Sequence, residues 1–221
     1  MSGIKFSEED IKRPTNEIIN QCIREFDRSE NLNETVVNSV FENFDNNSEA
    51  NILIKVIVLN SRYCTRLYDS NSKPNKNESV ENIAKFILNN NYIFSKDDIS
   101  QQDVVIWIDD ARQALSDSEK NVPYSFLTKY CSWCFSTLNI PIVDSCSKAM
   151  LYYINRLYPY YTPVDNMKLT QDNISQGKYA FYCSIYEQFA EKYAKKYTYK
   201  QIDKYLWYYA NNCANRIIRF D

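Results

Sequence analysis

An all-α fold is what this sequence predicts, and three observations carry the prediction. Apolar residues recur at three- and four-residue spacing through most of the chain. Only two glycines, Gly3 and Gly177, interrupt it. Asparagine, serine and threonine mark the joints between the periodic stretches. At 221 residues and 44% hydrophobic content, the chain can bury a sizeable core. The expected form is a compact multi-helix domain over residues 1–221, or two lobes: an acidic one at 1–115 and a basic one at 116–221.

The elements follow in order. Thr15, Asn16 and Glu17 open a helix with Ile18, Ile19, Cys22, Ile23 and Phe26 on one face. Asn33, Glu34 and Thr35 open a second, with Val36, Val37, Val40, Phe41 and Phe44. A more buried helix spans Ala50 to Leu67, and the polar, proline-containing stretch 69–78 breaks the chain before a helix from Ser79 to Leu88. Ser100 caps a helix carrying Val104, Val105, Ile108, Ala111 and Leu115, and residues 116–123 connect it to a helix bearing Lys129. Pro141 stops that helix, and Asp144 and Ser145 stand where the cap of the next one, Cys146 to Leu157, belongs. After the aromatic loop 158–165 come a helix from about Gln176 to Tyr197 and a last one capped by Thr198, with Ile202, Tyr205, Leu206 and Tyr209 inward.

Composition removes whole classes of chemistry. Without histidine there is no serine or cysteine triad and no His-ligated metal. Two glycines cannot build a phosphate-cradling loop, which excludes the nucleotide-binding motifs. Neither a metal nor a cofactor is called for. Seven cysteines without framework spacing, and an N-terminus lacking an apolar leader core, place the chain in a reducing cytoplasm. The longest apolar run, Ile52 to Leu59, is interrupted by Lys55 and too short to span a bilayer. Residues 1–120 carry 14 basic and 21 acidic side chains and residues 121–221 carry 12 and 7, so the second half is the better face for a polyanion. Lys192, Lys195, Lys196, Lys200 and Lys204 supply much of that charge, and equally fit a solvated helix surface.

Chemistry concentrates between Tyr124 and Leu151, where a lysine, Lys129, and an aspartate, Asp144, flank a helix junction. The stretch Ser125, Phe126, Leu127, Thr128, Lys129, then a helix from Tyr130 to Thr137, then Ile140, Pro141, Ile142, Val143, Asp144 and Ser145 resembles the helix-hairpin-helix DNA glycosylase superfamily. Together with LNSRYCTRL at 59–67 and TYKQIDKYLW at 198–207 it looks most like small bacterial proteins grouped with 8-oxoguanine DNA glycosylases. The resemblance implies a helix-hairpin-helix-like element, DNA as partner, and an N-glycosylase/AP lyase activity of DNA repair. It implies Lys129 as the Schiff-base nucleophile and Asp144 as the carboxylate that stabilises positive charge on the sugar. Ser125, Thr128, Ser145 and Lys148 would contact the DNA, and Tyr124, Phe126, Trp133 and Trp107 would wall the extruded base. The chain departs from the family in lacking hairpin glycines and in a shorter interval between Lys129 and Asp144.

Each residue also has a plainer role: Lys129 as an ordinary helix lysine and Asp144 as an N-cap, which is compatible with facing a pocket. Cys131 and Cys134 form a CxxC pair without a second pair at ligand spacing, and read as core thiols. Asp109 with Asp110, and Asp97 with Asp98, read as solvated helix-start charges. A second functional class stays open: a non-enzymatic helical module that binds a protein or nucleic acid.

Overall fold

The computed structural model describes residues 4–63, 76–118, 124–164 and 166–215. Among them the fold is all-α: α1 Asn16–Asn43, α2 Glu49–Tyr63, α3 Lys76–Asn89, α4 Gln101–Ser118, α5 Tyr124–Cys134, α6 Ser145–Leu157, α7 Gln171–Gln176, α8 Tyr179–Tyr193 and α9 Tyr199–Tyr208. Two 3-10 turns, Glu8–Asp10 and Asn91–Ile93, and a π-turn at Tyr209–Cys213 complete them. The β-type pairing described is a single bridge between Val164 and Met167, with Asn166 between them at a φ of 60°. No helix among the described residues is long and apolar enough to cross a membrane.

Two expected helices are one. α1 runs unbroken through Asn33, because the Thr35 hydroxyl donates to the Asn31 carbonyl one turn back (2.8 Å) and leaves the backbone helical. The two apolar stripes are also in phase: Phe26 to Val37 is eleven residues, three helical turns. The opposite correction applies to the helix expected from Gln176 to Tyr197. Gly177 takes an extended conformation (φ −65°, ψ 160°) and separates α7 from α8. A Cβ there would lie 2.6 Å from the Asn173 carbonyl oxygen and 2.8 Å from the Phe181 ring, so only glycine fits.

α5 ends at Cys134, well before Pro141, and a tight turn closed by Leu138 N–H on the Phe135 carbonyl (2.9 Å) follows it. The end expected of the Ala50 helix, the polar break over most of 69–78, and the hairpin connection at 119–123 lie outside the described residues. The caps read from sequence hold: Ser100 Oγ accepts from Asp103 N–H (3.1 Å), and Thr198 forms a reciprocal capping box with Gln201.

The chain divides into two compact units, residues 31–140 and residues 1–30 with 141–221. In the 31–140 unit, Ile52, Val56 and Leu59 of α2, Ile83 and Ile87 of α3, Val104 and Ile108 of α4, and Phe126 and Leu127 of α5 are buried, and α2 packs on both α3 and α5. In the other unit α6 packs on α7, α8 and α9, burying Met150, Leu151 and Ile154 along with Ile185, Phe189, Ile202 and Leu206.

Candidate functional site around Lys129 and Asp144

Lys129 stands halfway along α5 rather than near its start, and it is only 8% exposed. Its Nζ donates to Ser125 Oγ one turn back (2.9 Å) and lies 5.8 Å from the centre of the Tyr63 ring. Tyr63 in turn leans on Trp133, ring centres 6.4 Å apart, so a partly exposed aromatic pair flanks the amine. Tyr63 was not among the expected pocket residues; its place on the last turn of α2, which packs on α5, is a tertiary fact that spacing along the chain does not carry.

The other expected contacts separate into two groups. Thr128 is fully buried and its hydroxyl donates to the Tyr124 carbonyl of its own helix (2.7 Å), which corrects its assignment to a phosphate. Phe126 is fully buried, and Trp107 is a core side chain whose indole N–H donates to the Asn90 carbonyl (3.1 Å) among Phe86 and Phe94. Neither forms an open wall for a base. Tyr124 is buried, donating to Asp109 Oδ1 (2.5 Å) beneath the Arg112 guanidinium. Trp133 and Ser125 are half-buried, Ser145 is exposed at the first position of α6, and Lys148 is half-buried one turn later.

Asp144 is the N-cap of α6, in extended conformation, with Oδ1 accepting from Ser147 N–H (2.8 Å). Pro141 and Ile142, just before it, are held from outside the segment. Tyr179 donates to the Pro141 carbonyl (2.8 Å) and Tyr182 to the Ile142 carbonyl (3.0 Å). Ile142 N–H donates to Asp203 Oδ2 (3.2 Å), whose other oxygen accepts from Tyr186 (2.8 Å). Burial, then the Asp203 charge, pushes both the Tyr182 and the Tyr186 phenol well above their ordinary 10, which keeps them protonated as donors. Asp203 lies in the 198–207 stretch but has no role assigned from sequence, because its partners Ile142 and Tyr186 come from elsewhere in the chain. Lys129 belongs to the 31–140 unit and Asp144 to the other.

A second lysine was missed altogether. Lys55, expected only as an interruption of an apolar run, is 2% exposed; its Nζ donates to Asn46 Oδ1 (3.1 Å) and lies 5.1 Å from the Phe41 ring centre. Tyr130 donates to the same oxygen (2.6 Å), and Asn46 Nδ2 donates to Cys134 Sγ (3.6 Å). Burial lowers the Lys55 amine from its ordinary 10.5, while the same burial lifts the Cys134 thiol to about 11. Cys131 beside it is fully buried and is pushed well above its ordinary 9, again by burial. Among the described residues no group of three or more Cys, Asp or Glu is placed to hold a metal ion.

Of the expected polyanion lysines, Lys195 pairs with Glu191 (2.8 Å) and Lys204 with Asp27 (2.5 Å), whereas Lys192, Lys196 and Lys200 are exposed. The 31–140 unit carries 10 basic and 14 acidic residues and the other unit 16 and 14, so the positive excess lies with Asp144 rather than with Lys129.

A family model described as an N-terminal domain matches residues 18–138. The matched segment contains Lys129, Lys55 and Asn46, and it stops close to the end of the 31–140 unit and short of Asp144. No curated protein and no solved structure matches the chain.

Proposed function

The chain belongs to the HI_0787_N family through its N-terminal domain, and from its residues, not from that match, we propose that it is a DNA base-excision glycosylase-like protein in which Lys129 is the nucleophile and Asp144 the charge-stabilising carboxylate. One observation carries this reading: Lys129 is withdrawn from water, at 8% exposure, and rests on a hydroxyl and an aromatic ring. Attack on a sugar carbon needs an amine held in place, and this one is fixed on Ser125 beside the Tyr63 ring.

In this reading the Lys129 amine attacks the sugar carbon bearing the base, the glycosidic bond breaks, the base departs with a proton, and an imine joins lysine to the sugar. Tyr63 and Trp133 offer the aromatic surface next to the amine for an unstacked base. Asp144 is the carboxylate assigned to the developing positive charge, and the backbone of Pro141 and Ile142 just before it is held by Tyr179, Tyr182 and Asp203. Ser145 and Lys148 at the start of α6, with Lys192 and Lys196 on the same positively charged unit, supply phosphate contacts.

Borohydride reduction of the chain mixed with duplexes carrying assorted base lesions tests the reading. A covalent protein–DNA band forms with the wild type and is lost in Lys129→Gln. Asp144→Asn retains the cap, since asparagine caps as well as aspartate, yet slows trapping. No trapped band and no base release on any lesion overturns the assignment.

A second reading rests on a different feature. Leu32, Ile57, Tyr92 and Ile106 are 70%, 48%, 59% and 49% exposed, all in the 31–140 unit. Large apolar side chains such as these are what a protein-binding face of the module would use. A chain that binds a protein partner through this unit, loses that binding on Ile57→Glu with Ile106→Glu, and never traps DNA fits the module instead.

A further inference from the structure

The unit formed by residues 1–30 and 141–221 holds a cleft of about 570 Å3 lined by Lys12, Cys22, Glu25, Arg28, Tyr209 and Cys213, among others. Two of these are thiols, Cys22 and Cys213, which line the same cleft and lie close enough for each to shift the other's acidity. Cys22 lies on the second turn of α1 and is 2% exposed, while Cys213 ends the π-turn and is open to solvent. One partner is thus reachable by a small molecule and the other is protected behind it.

The surroundings fix this pair in place. Tyr209, at the start of the π-turn, accepts from Lys12 N–H (3.0 Å) and donates to the Asp10 carbonyl (2.8 Å). Ser7 N–H donates to the Asn215 carbonyl (3.0 Å), and Asn215 Nδ2 to Asp10 Oδ2 (2.9 Å). The stretch after α9 is therefore bound to the stretch before α1 on both sides of Cys213. π-turns concentrate at functional sites, and this one sets Cys213 over α1 at the cleft.

We propose that Cys22 and Cys213 form a thiol–disulfide exchange site that reacts with low-molecular-weight disulfides, closing to an intramolecular disulfide between α1 and the π-turn. Cys213 is the attacking sulfur because it is the one open to solvent; burial still leaves its thiol above the ordinary 9, with Cys22 and Lys12 offsetting part of the rise. Cys22 acts second because it is shielded, and burial, then the Cys213 charge, lifts it to about 12. With oxidised glutathione, the Cys213 thiolate attacks one sulfur and releases one glutathione thiolate. Cys22 then passes its proton to solvent and attacks Cys213 Sγ, releasing the second glutathione. The two protons given up by the protein thiols end on the two released glutathiones; the protein dithiol is oxidised and one glutathione disulfide is reduced. This inference is independent of the glycosylase reading, which uses neither cysteine.

The test is non-reducing peptide mapping of the full chain, first reduced and then equilibrated with mixtures of oxidised and reduced glutathione. The expected product is a Cys22–Cys213 cross-linked peptide pair in a chain lighter by two hydrogens, reversed by excess reduced glutathione. Cys22→Ser is expected to stop at a glutathione adduct on Cys213, and Cys213→Ser to lose both adduct and cross-link. A wild-type chain that accumulates the Cys213 adduct without the cross-link, or pairs Cys213 with another cysteine, overturns the proposal. So does a cross-link that survives in either variant.

Discussion

The two units spend their polar groups differently. The unit of residues 1–30 and 141–221 holds 14 of the 19 tyrosines, and several of their hydroxyls reach for backbone carbonyls: Tyr158 to Ile11, Tyr193 to Tyr158, Tyr160 to Leu151, Tyr179 to Pro141, Tyr182 to Ile142 and Tyr186 to Tyr199. In the 31–140 unit the described tyrosine hydroxyl bonds go to side chains, Tyr124 to Asp109 and Tyr130 to Asn46. A loop with almost no glycine leaves carbonyls that local turns do not satisfy, and a phenol that buries its ring while donating from its tip meets that need. One unit is fastened by phenol donors on backbone carbonyls. The other gathers an amine, a phenol and a thiol around the Asn46 amide.

The comparison is broken most forcefully by deleting core volume from the 31–140 unit. Phe126→Ala empties a fully buried position and is expected to cost about 3–5 kcal/mol, read as a shift of the urea midpoint. A shift matching a surface substitution would mean that apolar packing does not hold this unit. In the other unit, Tyr186→Phe keeps the ring but takes the donor from the Tyr199 carbonyl and from Asp203. The expected cost is about 1–3 kcal/mol, the range for leaving buried acceptors short of a partner. No change on urea unfolding would remove the tyrosine staples from the account.

The smallest effect belongs to Lys55, and its sign carries the information. The folded amine lies below its ordinary 10.5, so between those two values the unfolded chain binds the extra proton and stability gains with rising pH. Below the folded value the buried charge is a full cost, offset by Asn46 and the Phe41 ring. Lys55→Met is therefore expected to leave stability unchanged or raise it by up to ~1 kcal/mol at pH 7. The advantage shrinks toward pH 10.5 when wild type and variant are compared by urea unfolding at each pH. An advantage that grows with pH contradicts the burial of a charged amine.

How far the sequence foretold this can be argued residue by residue. The helices, the caps at Ser100, Asp144 and Thr198, and the inward faces of α4 and α9 were legible, because capping and periodicity are local. The unbroken α1 was not: Asn33, Glu34 and Thr35 spell a helix start, and only the phase of the stripes on either side argues for continuity. Gly177 ends a helix through its closeness to Asn173 and Phe181, a contact that composition does not announce. For the site, Lys129 and Asp144 were named through the resemblance of the 124–151 stretch, whereas Tyr63, Asp203 and the Lys55 cluster arise from residues far apart in the chain. Thr128, Phe126 and Trp107 took DNA and base contacts from the same resemblance and are core residues.

The most direct measurement locates the adduct itself. After borohydride reduction on lesion-bearing DNA, proteolysis and mass spectrometry are expected to find the sugar remnant on Lys129, which is withdrawn from water yet adjoins the partly exposed Tyr63 and Trp133. A remnant on Lys55, on a surface lysine, or on no lysine contradicts the assignment of Lys129 as the nucleophile.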